Sequence, residues 1–475
     1  MKKMISLLLI FVMVLGLCAC GSSGGAKGLQ VGYATGSLMP TQSGVPLAGG
    51  DSSRMSTGFL DELQAVCVAI SKGEDTFLLI TLDYVLSTSI FLDPMQNAIT
   101  EATGVPAERT LIHCTHDHSG IDIVRTGWDG EDAYRSLVYK NVSQAAVDAI
   151  ADLSPTTISI GSCIAENMAF VRHYDMKDGT TAGNGHGNLV NKNIEKHSYD
   201  ADSEVQTIKF TRPAEDKKDI YLVSLGAHVI FVNATNPNSI SADYPGALRN
   251  YIKDNGDALC AFFQGASGDQ HPNSRIPGVA AFQDDHVAYG NKLAEYVLGT
   301  ELTPVEGDDV VLKTWEYTGN SMKEGTEDAA LMAGVQEVWD LSKKHGNYHS
   351  LTTAKVVELG LLNVHEATGL YIRMKAPATR TMTLNVMQLG SDCSMVFVPY
   401  EMFGVHGTYI KENSPFSMSF IATSGEYHQG YMPTEEACEQ NYYEYDVTYY
   451  ERGTGEKLAQ IIVDTLTELK GAAAE

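Results

Sequence analysis

The chain has 475 residues, 44% of them hydrophobic, with 33 Lys and Arg against 59 Asp and Glu, a formal charge of −26. That length and apolar share build one large domain or two ordinary ones around a well-buried core. The charge excludes nucleic acid as a partner and electrostatic adsorption to anionic lipid, and it suits a neutral or zwitterionic substrate better than a polyanion.

In chain order, Lys2 and Lys3 precede an apolar run over 4–17, which ends in Leu17-Cys18-Ala19-Cys20. The run is too short for a stable spanning helix and reads as a signal peptide over 1–20, with Cys20 as the lipidated residue. Residues 21–28 are rich in Gly and Ser and read as a flexible tether. The expectation is a soluble, anionic body held to the membrane outside the cytoplasm by an N-terminal lipid, with no protein partner evident. The body, 29–472, alternates apolar runs with helix-period stretches, the pattern of an α/β fold with mixed sheets flanked by helices. Strands are predicted at 77–82 and 110–112, and a helix over 131–153. Core strands follow at 222–225 and 261–263, separated by a helix that Tyr244-Pro245-Gly246 opens and that runs to about 253. An inserted subdomain is expected around 318–375, with an amphipathic helix over 327–344. Strands at 381–389 and 395–398 and a last helix over 451–469 close the chain.

Outside the signal region there are six cysteines, Cys67, Cys114, Cys163, Cys260, Cys393 and Cys438. None forms a Cys-x-x-Cys pair, so a cysteine zinc site is disfavoured and buried free thiols are expected.

Five short elements carry chemistry-bearing residues. His116-Asp117-His118 follows the 110–112 strand. In extended backbone its two imidazoles point to one side, as a metal ligand and a proton handler would, although a loop pair of surface histidines fits as well. His228 stands just past the 222–225 strand, as a ligand or as a packed core histidine. Asp243, at the start of the following helix, reads as its cap. The loop 264–273 holds Gly265, Gly268, Asp269 and His271. Glu401 follows the strand at 395–398 and reads as a helix-start residue or an anionic ligand. Tyr431 and Tyr443 complete the set, as packing residues or as polar site groups.

Taken together and in this order, these elements resemble the neutral/alkaline ceramidases. Thr115-His116-Asp117-His118-Ser119 matches the family's Thr-His-x-His-Ser stretch, and the likeness spans roughly 28–470. The resemblance implies a neutral-ceramidase-like catalytic domain over 29–472, without the family's C-terminal immunoglobulin-like domain. It implies zinc held by His116, His228, Glu401 and Tyr431, with His118 beside the metal moving protons. By the same resemblance, Arg172 contacts substrate and Tyr443 stabilises an oxyanion. Asp269 belongs to the substrate loop, where the family reads Gly-Asp-Val-Ser-Pro-Asn. Here that frame is Gly268-Asp269-Gln270-His271-Pro272-Asn273. His271 stands in the serine position, so no serine-dependent step carries over, and His271 is expected to bind a polar group or act as an acid.

The expected activity is zinc-assisted hydrolysis of an amide, in an N-acyl lipid or a related N-acyl compound. Two other readings stand beside it. One is a metal-dependent esterase or phosphodiesterase using the same ligands. The other is a surface lipoprotein that binds lipid or solute without turnover.

Overall fold

Three β-sheets share one core. In the computed structural model, residues 28–49, 54–183, 193–276, 278–279, 282, 285–346, 349–440 and 442–472 are described. The expected signal peptide and Cys20 lie outside the described residues. The first sheet has the strand order Thr110–Cys114, Asp75–Leu82, Gln64–Lys72, Gln30–Ser37, Ser154–Pro155. The second runs Leu259–Gln264, Ile220–Leu225, Glu204–Thr211, Thr157–Ile164, Thr303–Pro304. The third runs Val310–Asn320, Thr379–Leu389, Cys393–Phe397, Met418–Ala422.

Strand alternation sorts the side chains. Val66, Val68 and Ile70 of the first sheet meet Phe210 and Leu222 of the second and Met387, Met395 and Phe420 of the third in the shared core. The opposite faces are covered by helices. Ala65, Cys67 and Ala69 pack under Ser89–Thr103 and Glu131–Ala151. Val223 and Phe262 pack against Asp243–Asn255 and His286–Gly299. Leu384, Val386 and Val396 pack against Thr454–Ala472. Every predicted strand and helix outside the 318–375 region has a counterpart among these elements.

Each sheet contains one parallel pair. Asp75–Leu82 runs beside Thr110–Cys114, Ile220–Leu225 beside Leu259–Gln264, and Cys393–Phe397 beside Met418–Ala422. The chain segments leaving the ends of these pairs carry the site residues, as is usual for strand ends in α/β folds.

The helices Ala329–His345, Ser350–Glu358 and Val364–Lys375 lie in the chain between two strands of the third sheet. Those strands pair without a break from Val310↔Leu389 to Asn320↔Thr379. The helical excursion therefore leaves the sheet at Asn320 and returns at Thr379. Asp328 and Asn363 start two of its helices by accepting backbone N–H bonds. All six cysteines are free, and five of them are buried. Among the described residues, no helix is long and apolar enough to cross a membrane.

Two buried polar ties hold the strand ends in place. Asp83 accepts from both terminal nitrogens of Arg249 at 3.0 and 2.5 Å and from the Gln64 N–H at 2.8 Å. This pair joins the first sheet to a helix of the second, and breaking a buried pair on one side typically costs about 3–5 kcal/mol. Glu426 Oε1 accepts from the Ile112 N–H and from Gln96, each at 3.0 Å. It anchors the segment after Met418–Ala422 to the first sheet. Burial pushes this carboxyl from 4.5 up to about 8, against the lowering effect of its two donors. A carboxyl raised on folding contributes stability that is complete below its unfolded pKa and is lost as pH rises through the folded value. The melting temperature should therefore decline between about pH 4.5 and 8, and Glu426→Gln should flatten that decline. Equal slopes for the two proteins in a thermal-melt series across this range would refute the assignment.

Candidate metal centre

The strand Thr110–Cys114 is followed by a tight turn, not by more extended chain. His116 has φ 64°, in the left-handed region. The expectation of extended backbone at His116-Asp117-His118 therefore fails. The turn still brings the two rings together, with centroids 5.0 Å apart and Nε2 to Nε2 3.3 Å. Gly49 (φ 76°) backs the His118 ring, and a Cβ there would come 2.2 Å from His118 Nδ1. From the second sheet comes His228, whose ring centroid lies 4.6 Å from that of His116 and 5.6 Å from that of His118. The ligand atoms of His116, His118 and His228 all lie within 4.8 Å of one another.

Carbonyl oxygens set the tautomers of two of these rings. His116 Nδ1 faces the Val85 carbonyl at 3.0 Å, and His228 Nδ1 faces the carbonyls of Ser267 and Gln270 at 2.8 and 3.0 Å. A carbonyl only accepts, so each Nδ1 carries the hydrogen and each Nε2 turns a lone pair inward.

Glu401 supplies the charge. It lies in the two-residue strand Glu401–Met402, and the helix Gly404–Asn413 starts beyond it, so it is not a helix-start residue. That strand pairs in parallel with Tyr431–Met432 in the register Glu401↔Tyr431, which seats the two predicted ligands side by side. Glu401 Oε2 is 3.2 Å from His116 Nε2 and 3.4 Å from His228 Nε2. It accepts no hydrogen bond, although it is buried. Its other oxygen lies 3.2 Å from His428 Nε2. Tyr431 OH and Arg172 Nη1 each approach His228 Nε2 at 3.4 Å.

Lone pairs and a carboxylate oxygen converging in a dry site repel one another unless a cation lies among them. The donor set of imidazole nitrogens and one carboxylate fits a divalent ion of zinc's preferences. The electrostatics agree. Burial alone would raise Glu401, and only positive charge beside it, from protonated imidazoles with His116 first, holds it well below the usual carboxylate range; a divalent ion among neutral rings would supply that charge instead. Burial and then the Arg172 charge lower His228 to about 4. Burial and the neighbouring histidines push His118 well below its ordinary value.

Arg172 forms a second wall. Its Nε donates to Glu444 Oε1 at 2.6 Å, Nη2 donates to the Gly268 carbonyl at 2.6 Å, and Nη1 lies 3.1 Å from His271 Nε2. The short pairing His271↔Phe170 and Gln270↔Val171 brings the 264–273 loop beside Arg172. Burial opposes charge on Glu444, but Arg172 and His173 bring it down to about 2. His173 Nε2 meets Glu444 Oε2 at 3.1 Å, and its Nδ1 meets the Tyr199 OH at 2.9 Å. Tyr199 in turn donates to Asp269 Oδ2 at 3.0 Å, and Asp269 Oδ1 accepts the Gly404 N–H. The Asp269 carbonyl accepts the Arg172 N–H at 2.9 Å, but its carboxylate is turned away to Tyr199 and Gly404 at the far end of this chain. Tyr443 faces the centre, its ring 5.7 Å from that of Tyr431 and under the Arg172 guanidinium. His365, from the helical excursion, packs edge-on against Tyr443 at 5.2 Å.

All the predicted site residues but Asp269 and the lipidation site therefore fall around one point. Asp243 differs from its predicted role. It is the first residue of Asp243–Asn255, not the cap, and its Oδ2 accepts the Val232 N–H, tying the helix to the segment after His228. Sequence reading missed Glu444, His173, Tyr199 and His428. Glu444 and His173 adjoin residues that had been singled out. Nothing local marks Tyr199 or His428, whose roles arise only from contacts 70 and 27 positions away.

No family model matches the chain, and no curated protein matches it in sequence. The structure does find likenesses. Neutral ceramidase from Pseudomonas aeruginosa superposes with a TM-score of 0.68 at 14% identity, over 94% of this chain and 75% of that one. This chain has the neutral ceramidase fold. A ceramidase complexed with C2 superposes with a TM-score of 0.66 at 13% identity, over 94% and 76%. At such identity the likeness carries architecture, and within the ceramidase fold the chemistry must be argued from the side chains.

The ligand geometry makes a direct prediction. The purified protein should hold about one zinc-type divalent ion per chain. His116→Ala and His228→Ala should each lose most of it, while Tyr431→Phe loses less. Full metal content in either histidine variant, read by mass spectrometry of the metal, would refute the ligand set.

Proposed function

We propose that the chain is a zinc-dependent hydrolase of linear amides that acts on an N-acyl lipid or a related N-acyl compound. The observation that carries the reading is the orphaned Glu401 Oε2 among inward-facing imidazoles. The neutral ceramidase fold supports amide cleavage as the reaction. In this reading His116, His228, Glu401 and Tyr431 hold the ion. When bound, it would supply Lewis acidity at the scissile carbonyl and an activated water at neutral pH.

The chain's own groups supply the rest. His118 Nε2, 3.3 Å from His116 Nε2, sits where a proton can pass from the attacking water to the leaving nitrogen. Burial and then the Glu401 charge keep the Tyr443 phenol protonated far above its ordinary range, so it remains an O–H donor for a developing oxyanion. Arg172 is immobilised by Glu444 and Gly268 and positions substrate without rotamer freedom to lose. His271 Nε2 is engaged by Arg172, and burial, then the Arg172 charge, holds its ring neutral. Its Nδ1–H is then the group that meets substrate, as a hydrogen-bond donor in the place where the resembled family has a serine hydroxyl. That change favours an N-acyl compound other than ceramide itself. We place the protein outside the cytoplasm, anchored by a lipid on Cys20.

Incubation with a mixed panel of N-acyl lipids and N-acyl amino compounds, with released acid and amine read by mass spectrometry, tests the reading. Paired acid and amine release that a chelator stops is expected, and metal binding with no release across the panel would overturn it. Tyr443→Phe should lower kcat by roughly 100-fold with little change in KM, the signature of a lost oxyanion donor. A tenfold rise in KM at unchanged kcat would instead make Tyr443 a substrate-binding group.

A further inference from the structure

Behind the Arg172 wall lies a cavity of about 600 Å³ that none of the metal-centre residues lines. Its walls include His173, Tyr199 and Tyr442 together with Asp175, Asp200 and Glu436. It is separated from the metal centre by the hydrogen-bonded chain Tyr199–His173–Glu444–Arg172, which is buried from His173 inward. We propose that this cavity is a second ligand site, distinct from the metal centre, for a small molecule that carries an ammonium group.

Three independent features point there. The volume falls in the range of about 300–1,000 Å³ that small-molecule sites occupy. The charge is one-sided, because four carboxylates and no Lys or Arg line the cavity. Lys411 offsets Asp202 at 2.7 Å, and Lys196 offsets Asp175 at 3.2 Å. Asp200 and Glu436 make no ion pair among the described residues and are exposed at the cavity, so their charge is open to solvent and to a ligand. The third feature is a rigid aromatic wall. Tyr442 stacks on His173 with ring centroids 4.1 Å apart, and Tyr199 meets His173 edge-on at 5.9 Å. Tyr442 gives one face to His173 and is buried, so the ring left to meet an organic cation is the more exposed Tyr199, held in place by its edge contact with His173 and its bond to Asp269. The Thr181 and Ser198 hydroxyls already donate to Gln440 and Asp175, which leaves them as acceptors for a hydroxylated carrier of the cation. The −26 charge of the whole chain draws cations and repels anions in the same direction.

Isothermal titration of the whole protein with choline and with ethanolamine tests the site. A neutral isostere, 3,3-dimethylbutan-1-ol, separates charge recognition from shape. Choline or ethanolamine should bind with clear preference over the neutral alcohol. The double variant Asp200→Asn with Glu436→Gln, at exposed positions, should weaken binding roughly threefold or more. The double variant His116→Ala with His228→Ala, which removes the metal centre, should leave binding unchanged. The proposal is overturned if neither amine binds or if the alcohol binds equally well. It is overturned too if the acidic variant binds like wild type, or if binding vanishes in a metal-centre variant whose circular dichroism shows it folded. The readout involves no turnover, so the site stands or falls separately from the proposed hydrolase activity.

Discussion

An oxygen atom of a buried carboxylate that accepts no hydrogen bond is expensive, because it has left water and gained nothing in return. Glu401 Oε2 is such an atom, sealed between His116 and His228. Much of the surrounding structure serves to keep it there. The Val85, Ser267 and Gln270 carbonyls force the two imidazoles to aim lone pairs at it. The Glu401–Met402 and Tyr431–Met432 pairing fixes the backbone from which the carboxylate projects. His116 itself adopts a left-handed backbone to reach it, a conformation that a non-glycine residue keeps only when its surroundings impose it. Strain, an orphaned acceptor and convergent lone pairs at one point are together the mark of a place built for a cation.

The three-sheet arrangement explains how residues 116, 228 and 401 come to one point. Each sheet turns one face to a shared core and the other to its own helices. Each also contains one parallel pair, so chain leaves several neighbouring strands in the same direction. The side chains of the candidate metal centre come from these exits, with His116 and His118 from the first sheet, His228 from the second and Glu401 from the third. A ligand set drawn from three sheets cannot form until all three have docked. Metal binding, where it occurs, is then coupled to completion of the core.

Arg172 makes the opposite wall by a different device. A guanidinium is costly to bury, and here Glu444, Gly268 and His271 take up its donors. Glu444 is in turn held by His173, and His173 by Tyr199, which donates to Asp269. The network is satisfied along its length, so it rigidifies the wall that faces the metal centre. The histidine at 271 belongs to this arrangement. It occupies the frame position of a serine in the resembled family and spends its Nε2 on Arg172, which changes what the wall presents to a substrate.

The sequence by itself determined the core strands and the long helices, because a period of two or of 3.6 in apolar residues is a local property. It also singled out His116, His228, Glu401 and Tyr431 as candidates, each just past an apolar run or a glycine, while their joint role as ligands came from the resemblance to a known family. Local pattern could not decide how those residues are held. His116 was expected in extended chain and lies in a left-handed turn, and Glu401 was expected to start a helix and sits in a two-residue strand. In both cases contacts with chain far away in sequence overrode the local preference. Glu444, His173, Tyr199 and His428 went unseen for the same reason. A buried hydrogen-bond chain is built from partners up to 272 positions apart, and only the folded chain selects them. The acidic cavity behind Arg172 is likewise a product of packing, since its lining residues come from segments between 173 and 442 that meet only when the sheets close.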